Sequence, residues 1–220
     1  INAIQAMIND FLRQLSFGYP SVNMRKVMQV IVDNINLAEC SLNMGTGGEK
    51  MTFAINYLID GSTNPGSLGL LKEFQEVNLS SILNYGEYIV KSGYKNVTIL
   101  GVSSQGDKKE LTLSPAISLA EYLLKNNVGV CINDPLFSEA DLLRLIKGVK
   151  TVVFPNEAFL SEVVIVGSDH FEYFTLSQKV LSKLKKKTKL IIDNYGIWEK
   201  LDFGKNTKYY VVGDGSLNIF

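Results

Sequence analysis

The apolar positions of this chain change their period near residue 93. In the first part Ile4, Met7, Ile8, Phe11, Leu12 and Leu15 recur at three- and four-residue spacing, which places them on one face of a helix. The turn Phe17-Gly18-Tyr19-Pro20 breaks that helix, and Asn23 is placed to cap a second one carrying Met24, Val27, Met28 and Ile31. Gly45-Thr46-Gly47-Gly48 interrupts the pattern, and a loop follows around Gly61 to Gly66. A long helix is then predicted from about Leu68 to Ser92. Leu71, Phe74, Asn78, Ile82, Tyr85 and Ile89 line one side of it, and Gly93 ends it. No strand signal appears in this half.

From Tyr94 onward, short β-branched runs alternate with helical stretches. Strands are predicted at Val97 to Leu100, Val128 to Ile132, Thr151 to Phe154, Val163 to Val166, Lys189 to Ile192 and Tyr209 to Val212. Ser114 and Pro115 open a helix bearing Ile117, Leu119, Ala120, Leu123 and Leu124, and Ser138 with Asp141 forms a capping box for the next. Strands apolar on both faces, separated by helices, call for a parallel sheet covered on both sides. The fold class expected is α/β: an all-helical domain over residues 1–92, then a Rossmann-like parallel-sheet domain over residues 93–220.

Composition narrows the function only a little. Acidic and basic residues balance at 22 each, which gives no electrostatic case for nucleic acid or for an anionic membrane surface. The apolar runs are strand-sized, so no membrane insertion is expected, and no secretory signal is visible. The chain does not start with Met, which suggests an upstream portion. Cys40, Cys131 and the single His170 make no convincing zinc site, and a reducing, cytoplasmic setting is the default expectation.

Several positions invite chemistry, each with a plainer alternative. Gly47-Gly48 could bring backbone N–H groups to a phosphate, or simply connect two helices. The turn Gly101 to Gly106 follows the first strand, where doubly wound sheets bind ligands, although it is not GxGxxG. Asp134-Pro135 could receive a ribose hydroxyl or be an ordinary turn. Ser168-Asp169-His170 has the residue types of a triad, but three sequence neighbours do not point at one another, so a loop capping the next element is favoured. Lys183 to Lys189 reads as a solvated face at the end of a helix begun by Ser177. Cys131, inside a strand, reads as a buried inert thiol.

Taken in order, Leu100-Gly101-Val102-Ser103-Ser104-Gln105-Gly106-Asp107 through Ser114-Pro115-Ala116 is similar to a signature of the nucleotide-sugar (UDP-glucose/GDP-mannose) dehydrogenases, L-G-L-A-F-K-P-x-T-D-D-x-R-E-S-P-A. The likeness continues through Asp134-Pro135, Val163 to Phe174, Ile191-Ile192-Asp193-Asn194-Tyr195 and Val212-Gly213-Asp214-Gly215. Asn9-Asp10 and Leu70-Leu71-Lys72-Glu73-Phe74 resemble motifs of the same family's helical part. The resemblance implies a central helical domain, dimerising through the long helix, and a C-terminal nucleotide-sugar-binding domain. It implies NAD only through an N-terminal domain that nothing in this chain matches, so no cofactor-binding residue and no metal site are expected here.

The same comparison implies a degenerate site. Lys50 stands where the family's G-G-x-C has its nucleophilic cysteine, and lysine cannot carry thioester chemistry. Ala54 replaces an acid. Gln105 replaces the lysine of F-K, Thr112 the arginine of R-E-S-P, and Tyr195 the arginine of D-G-R-N. Gly47, Gly48, Gln105, Asp107 and Tyr195 remain as substrate-binding candidates, with a UDP-sugar as ligand and a homodimer as assembly. The function expected is a binding and dimerisation module no longer able to oxidise a nucleotide sugar. The alternatives are a divergent, active NAD-dependent UDP-sugar dehydrogenase of polysaccharide biosynthesis, and a purely structural assembly protein.

Overall fold

The computed structural model describes residues 22–35, 44–45, 56–57, 60–61 and 69–215. Gly47, Gly48, Lys50 and Cys40, and the helix expected around Ile4 to Leu15, lie outside the described residues. Among those described are α1 (Met24–Ile35), α2 (Gly69–Lys91), β1 (Asn96–Leu100), α3 (Pro115–Lys125), β2 (Gly129–Asn133), α4 (Glu139–Leu145) and β3 (Lys150–Thr151). They are followed by β4 (Val163–Val166), α5 (Phe171–Phe174), α6 (Gln178–Leu181), β5 (Leu190–Asp193) and β6 (Lys208–Val211).

The caps read from the sequence are the ones that form. Asn23 Oδ1 accepts the Lys26 N–H at 3.1 Å at the start of α1. Ser114 Oγ accepts from Ile117 at the start of α3, whose first residue is Pro115. Ser138 and Asp141 make the reciprocal capping box of α4.

Six strands form one wholly parallel sheet in the order β3-β2-β1-β4-β5-β6. Parallel strands bury both faces, and β4 and β5 are buried at every position. Alternation divides each strand between two cores. Val97, Ile99, Val163, Ile165, Leu190 and Ile192 pack with Ile82, Tyr85 and Ile89 of α2, Leu119 and Leu123 of α3, and Leu142 of α4. Leu100, Val164, Val166 and Ile191 face the other way, onto Phe154, Phe159, Tyr173, Leu181, Trp198 and Phe203. Helices cover the first face. Irregular chain and the short turns α5 and α6 cover the second, around Trp198, which is 1% exposed and donates from Nε1 to Tyr173 O at 2.8 Å.

The C-terminal half of α2 shares the first core, so the long helix docks onto the sheet domain. Gly86 permits the approach, because a Cβ there would lie 2.5 Å from the Tyr122 ring of α3. At the far side, Arg25 of α1 reaches β6 and β5: its Nε donates to Val212 O at 2.7 Å and its Nη2 to Asn194 O at 2.9 Å.

Two expectations need correction. The strand predicted from Thr151 to Phe154 ends at Thr151, because the Val153 N–H turns to the Glu157 carboxylate at 2.9 Å and Phe154 enters the second core. The helix begun by Ser177 is a single turn ending at Leu181, so Lys183 to Lys189 lies beyond it and no helix dipole explains the cluster. There the Lys187 N–H donates to Phe159 O, and Lys189 pairs with Glu162 at 2.7 Å.

Candidate functional site

In the strand order 3-2-1-4-5-6 successive strands are added outward in opposite directions from β1 and β4, and a crevice opens where loops leave the carboxyl ends of those two parallel strands. The loop after β1, Gly101 to Asp107, and the loop after β4, Gly167 to His170, nest there. Gly101 has φ +89° and sits so close that a Cβ would lie 2.5 Å from Ser168 Cβ and 2.8 Å from its backbone nitrogen. Gly106 is equally tight, because a Cβ would meet Asp169 O at 2.4 Å. Gly101→Ala is expected to lower stability by about 2–4 kcal/mol, from the left-handed backbone and the overpacking together, as measured by urea unfolding.

A buried carboxylate holds these loops. Asp134, at the end of β2 and 2% exposed, accepts on Oδ2 from Val102 N–H, Ser103 N–H and Ser103 Oγ, each at 2.9 Å. Its Oδ1 accepts the Leu136 N–H at 3.0 Å. Burial alone would raise this carboxyl, but hydrogen bonds from His170 and Ser103 outweigh it and hold Asp134 below the usual aspartate value. With its oxygens committed to the loop, Asp134 is not free to take a ribose hydroxyl.

The Ser168-Asp169-His170 run points in three directions and forms no triad, and the cap on the next helix comes from Asp107 and not from these side chains. Ser168 Oγ donates to Ser103 O. Asp169 Oδ1 accepts the Gly106 N–H at 2.9 Å. His170 is fully buried: the Asp107 N–H donates to its Nδ1 at 3.0 Å, and its Nε2 lies 3.1 Å from Asp134 Oδ2. An Nδ1 that accepts must be unprotonated, so the neutral ring carries its proton on Nε2 and donates it to Asp134. Burial opposes a charge on this imidazole, but the Asp134 and Asp107 carboxylates outweigh it, and its pKa is raised.

The described candidates gather at this edge. Gln105 is exposed, and its Oε1 accepts from Lys108 Nζ at 2.8 Å. Asp107 is exposed too, and its carboxylate accepts the Phe171 N–H that begins α5, at 3.2 and 3.3 Å. Tyr195 follows β5, with its N–H on Asp193 Oδ1 at 3.0 Å. Burial and the nearby Asp169 charge raise its phenol.

Cys131, half-buried in β2, has its thiol pKa raised by burial, in keeping with an inert side chain. A cavity of about 390 Å³ opens beside β2 and β3, reaching Asp134 and lined by Phe137, Val152 and Phe154 with Glu139, Glu157 and Glu172. Its carboxylates disfavour a phosphate ligand. No group of three potential metal ligands occurs among the described residues, and no described helix is long and apolar enough to cross a membrane.

Asp193 and Arg25 were missed as site residues, and Asp134 was weighed only as a ribose ligand or an ordinary turn. The signal for the two aspartates was an acid closing an otherwise apolar strand. For Arg25 there was none, because its partners are backbone carbonyls about 170–190 residues away.

The wholly parallel six-stranded sheet, with loops nested at its switch point, defines a Rossmann-like α/β class of domain. Residues 98–200 match the UDP binding domain of the UDP-glucose/GDP-mannose dehydrogenase family. It is 24% identical to a UDP-N-acetyl-D-mannosamine dehydrogenase of Methanococcus aeolicus, over 66% of this chain and 30% of that one. Against the enzyme of the same name from Methanocaldococcus jannaschii it is 23% identical, over 78% of this chain and 39% of that one. Its fold superimposes on a UDP-D-ManNAc dehydrogenase from Pyrococcus horikoshii with a TM-score of 0.74 at 16% identity, covering 98% of this chain and 50% of that one. A UDP-glucose dehydrogenase from Pyrobaculum islandicum gives a TM-score of 0.71 at 18% identity, covering 97% and 49%. The chain thus spans less than two fifths of these curated relatives' length.

Proposed function

We propose that this chain binds a UDP-sugar at the edge formed by the loops after β1, β4 and β5, and that it does not oxidise the sugar. The observation that supports the first half is the match of residues 98–200, a span that includes Gln105, Asp107 and Tyr195, to a UDP-binding domain. The second half rests on the residues that the family resemblance implies were exchanged: Lys50 for the nucleophilic cysteine, and Gln105, Thr112 and Tyr195 for cations. In this reading the protein is a cytoplasmic binding and assembly module of surface-glycan synthesis, dimerising through α2. The names of the relatives make UDP-N-acetylmannosamine the first sugar nucleotide to offer.

Calorimetry with UDP and UDP-N-acetylmannosamine is expected to give weak binding that responds to the sugar. Gln105→Lys is expected to tighten it about tenfold, the value of one regained charge-assisted contact to phosphate. Absence of heat with every nucleotide, from folded protein, overturns the ligand. NADH release from a UDP-sugar by the full-length protein overturns the inactive half of the proposal.

A further inference from the structure

Among the hydrogen bonds that hold the loop after β1, the one from the Asp107 N–H to His170 Nδ1 is one that a proton would destroy. Asp107 has φ +53°, a left-handed conformation that a residue with a side chain adopts at a cost of roughly 1–2 kcal/mol. Two contacts fix it there: its N–H donates to His170 Nδ1, and its carboxylate accepts the Phe171 N–H. Asp107 Oδ1 lies only 3.5 Å from the same Nδ1. The backbone amide and the carboxylate of one residue therefore compete for one ring nitrogen, and the protonation state of that nitrogen decides between them.

We propose that His170 is a proton-sensitive positioning residue that latches the Gln105-bearing loop in its neutral form and releases it when protonated. In the neutral ring Nδ1 is an acceptor and takes the Asp107 N–H. Protonation adds a hydrogen to Nδ1, and two donors then face each other across 3.0 Å. The contact resolves when the Asp107 carboxylate swings in to accept from Nδ1–H, which frees the Asp107 amide and leaves the Phe171 N–H without its acceptor. Nε2–H stays on Asp134 throughout. The titratable groups facing the ring are Asp134 at the end of β2, Asp107 in the loop after β1, and Tyr173 of α5, whose ring meets the imidazole edge-on with centroids 5.6 Å apart. The direction of the His170 shift, upward, brings the exchange toward neutral pH. The consequence for ligand binding rests on the UDP-sugar reading above; the latch itself does not.

His170 is the chain's single histidine, so its ring signals are unambiguous in nitrogen-15 NMR of the full chain. At about pH 8 the Nε2–H tautomer is expected, and the amides of residues 102–107 are expected to shift with the ring's own titration as the pH falls toward about 5.5. In His170→Asn, whose Oδ1 accepts as Nδ1 does but cannot be protonated, those shifts are expected to vanish. Over the same range UDP affinity is expected to fall about threefold or more further in the wild type than in His170→Asn. An Nδ1–H tautomer in the wild type, or a ring that titrates while the amides stay still, overturns the latch even if the variant does not fold. Loop amides that follow the ring while UDP gives no heat support the latch and overturn the ligand reading instead.

Discussion

Asp193→Ala is expected to be among the most destabilising single substitutions in this chain, at about 4–5 kcal/mol. Asp193 ends β5 with no exposed surface, and both of its oxygens are used twice. Oδ1 accepts the N–H groups of Tyr195 and Gly196 at 3.0 and 2.8 Å. Oδ2 accepts the Trp198 N–H at 3.0 Å and the Tyr209 hydroxyl at 2.7 Å. Alanine leaves four donors without a partner, and a buried unsatisfied donor costs about 1–3 kcal/mol. The bonds from Tyr195, Gly196 and Tyr209 are only partly buried, so the fully buried Trp198 N–H accounts for the largest single share of the loss. Asp193→Asn keeps one acceptor oxygen and is expected to cost about half as much. Trp198, the single tryptophan, lies inside the affected turn and reports on it directly in urea titrations followed by fluorescence. A loss below about 1 kcal/mol for alanine would show that the turn after β5 stands without its carboxylate.

The parts of this fold that were legible in the sequence are those dictated by local pattern. Val163 to Val166 is an unbroken β-branched run and is β4 to the residue. Ser114-Pro115 and Ser138 to Asp141 carry their own capping chemistry and begin α3 and α4 as expected. Contacts between distant residues left no such trace. Val153 is as β-branched as its neighbours, yet Glu157 captures its N–H and ends β3 early. The cover of the second sheet face has no helical period, because Trp198 and Phe203 sit in irregular chain anchored by side chain-to-backbone bonds. The candidate site divides in the same way. Gln105, Asp107 and Tyr195 were found through motif resemblance and do lie on the loops at the carboxyl edge. His170 was weighed as a zinc ligand and as a triad member but not as a loop anchor, because its actual partners, Asp134 and the Asp107 amide, are 36 and 63 residues away.

Asp134→Ala is the second large effect expected, at about 3–5 kcal/mol, and it should carry a pH signature. The substitution strips acceptors from Val102, Ser103 and Leu136 and leaves the His170 Nε2–H facing nothing. Asp134 has a lowered pKa, so its contribution is present above its ordinary value of 3.8 and is lost as the pH falls through the folded value. His170 has a raised pKa, so its charged contribution is complete below its ordinary 6.5 and is lost as the pH rises through the folded value. The ion pair is therefore at full strength between about pH 4 and 6.5, and the gap between wild type and Asp134→Ala is expected to be widest there. Above that window the gap should narrow without closing, since the neutral ring and the loop amides still need their acceptor. A gap independent of pH would mean that Asp134 acts on the amides alone. The window also sets global stability against loop order: a falling pH strengthens the buried pair while it takes the Asp107 amide away from His170. An acid shift that stabilises the domain against urea while loosening residues 102–107 is therefore the joint outcome expected of one histidine held between two carboxylates.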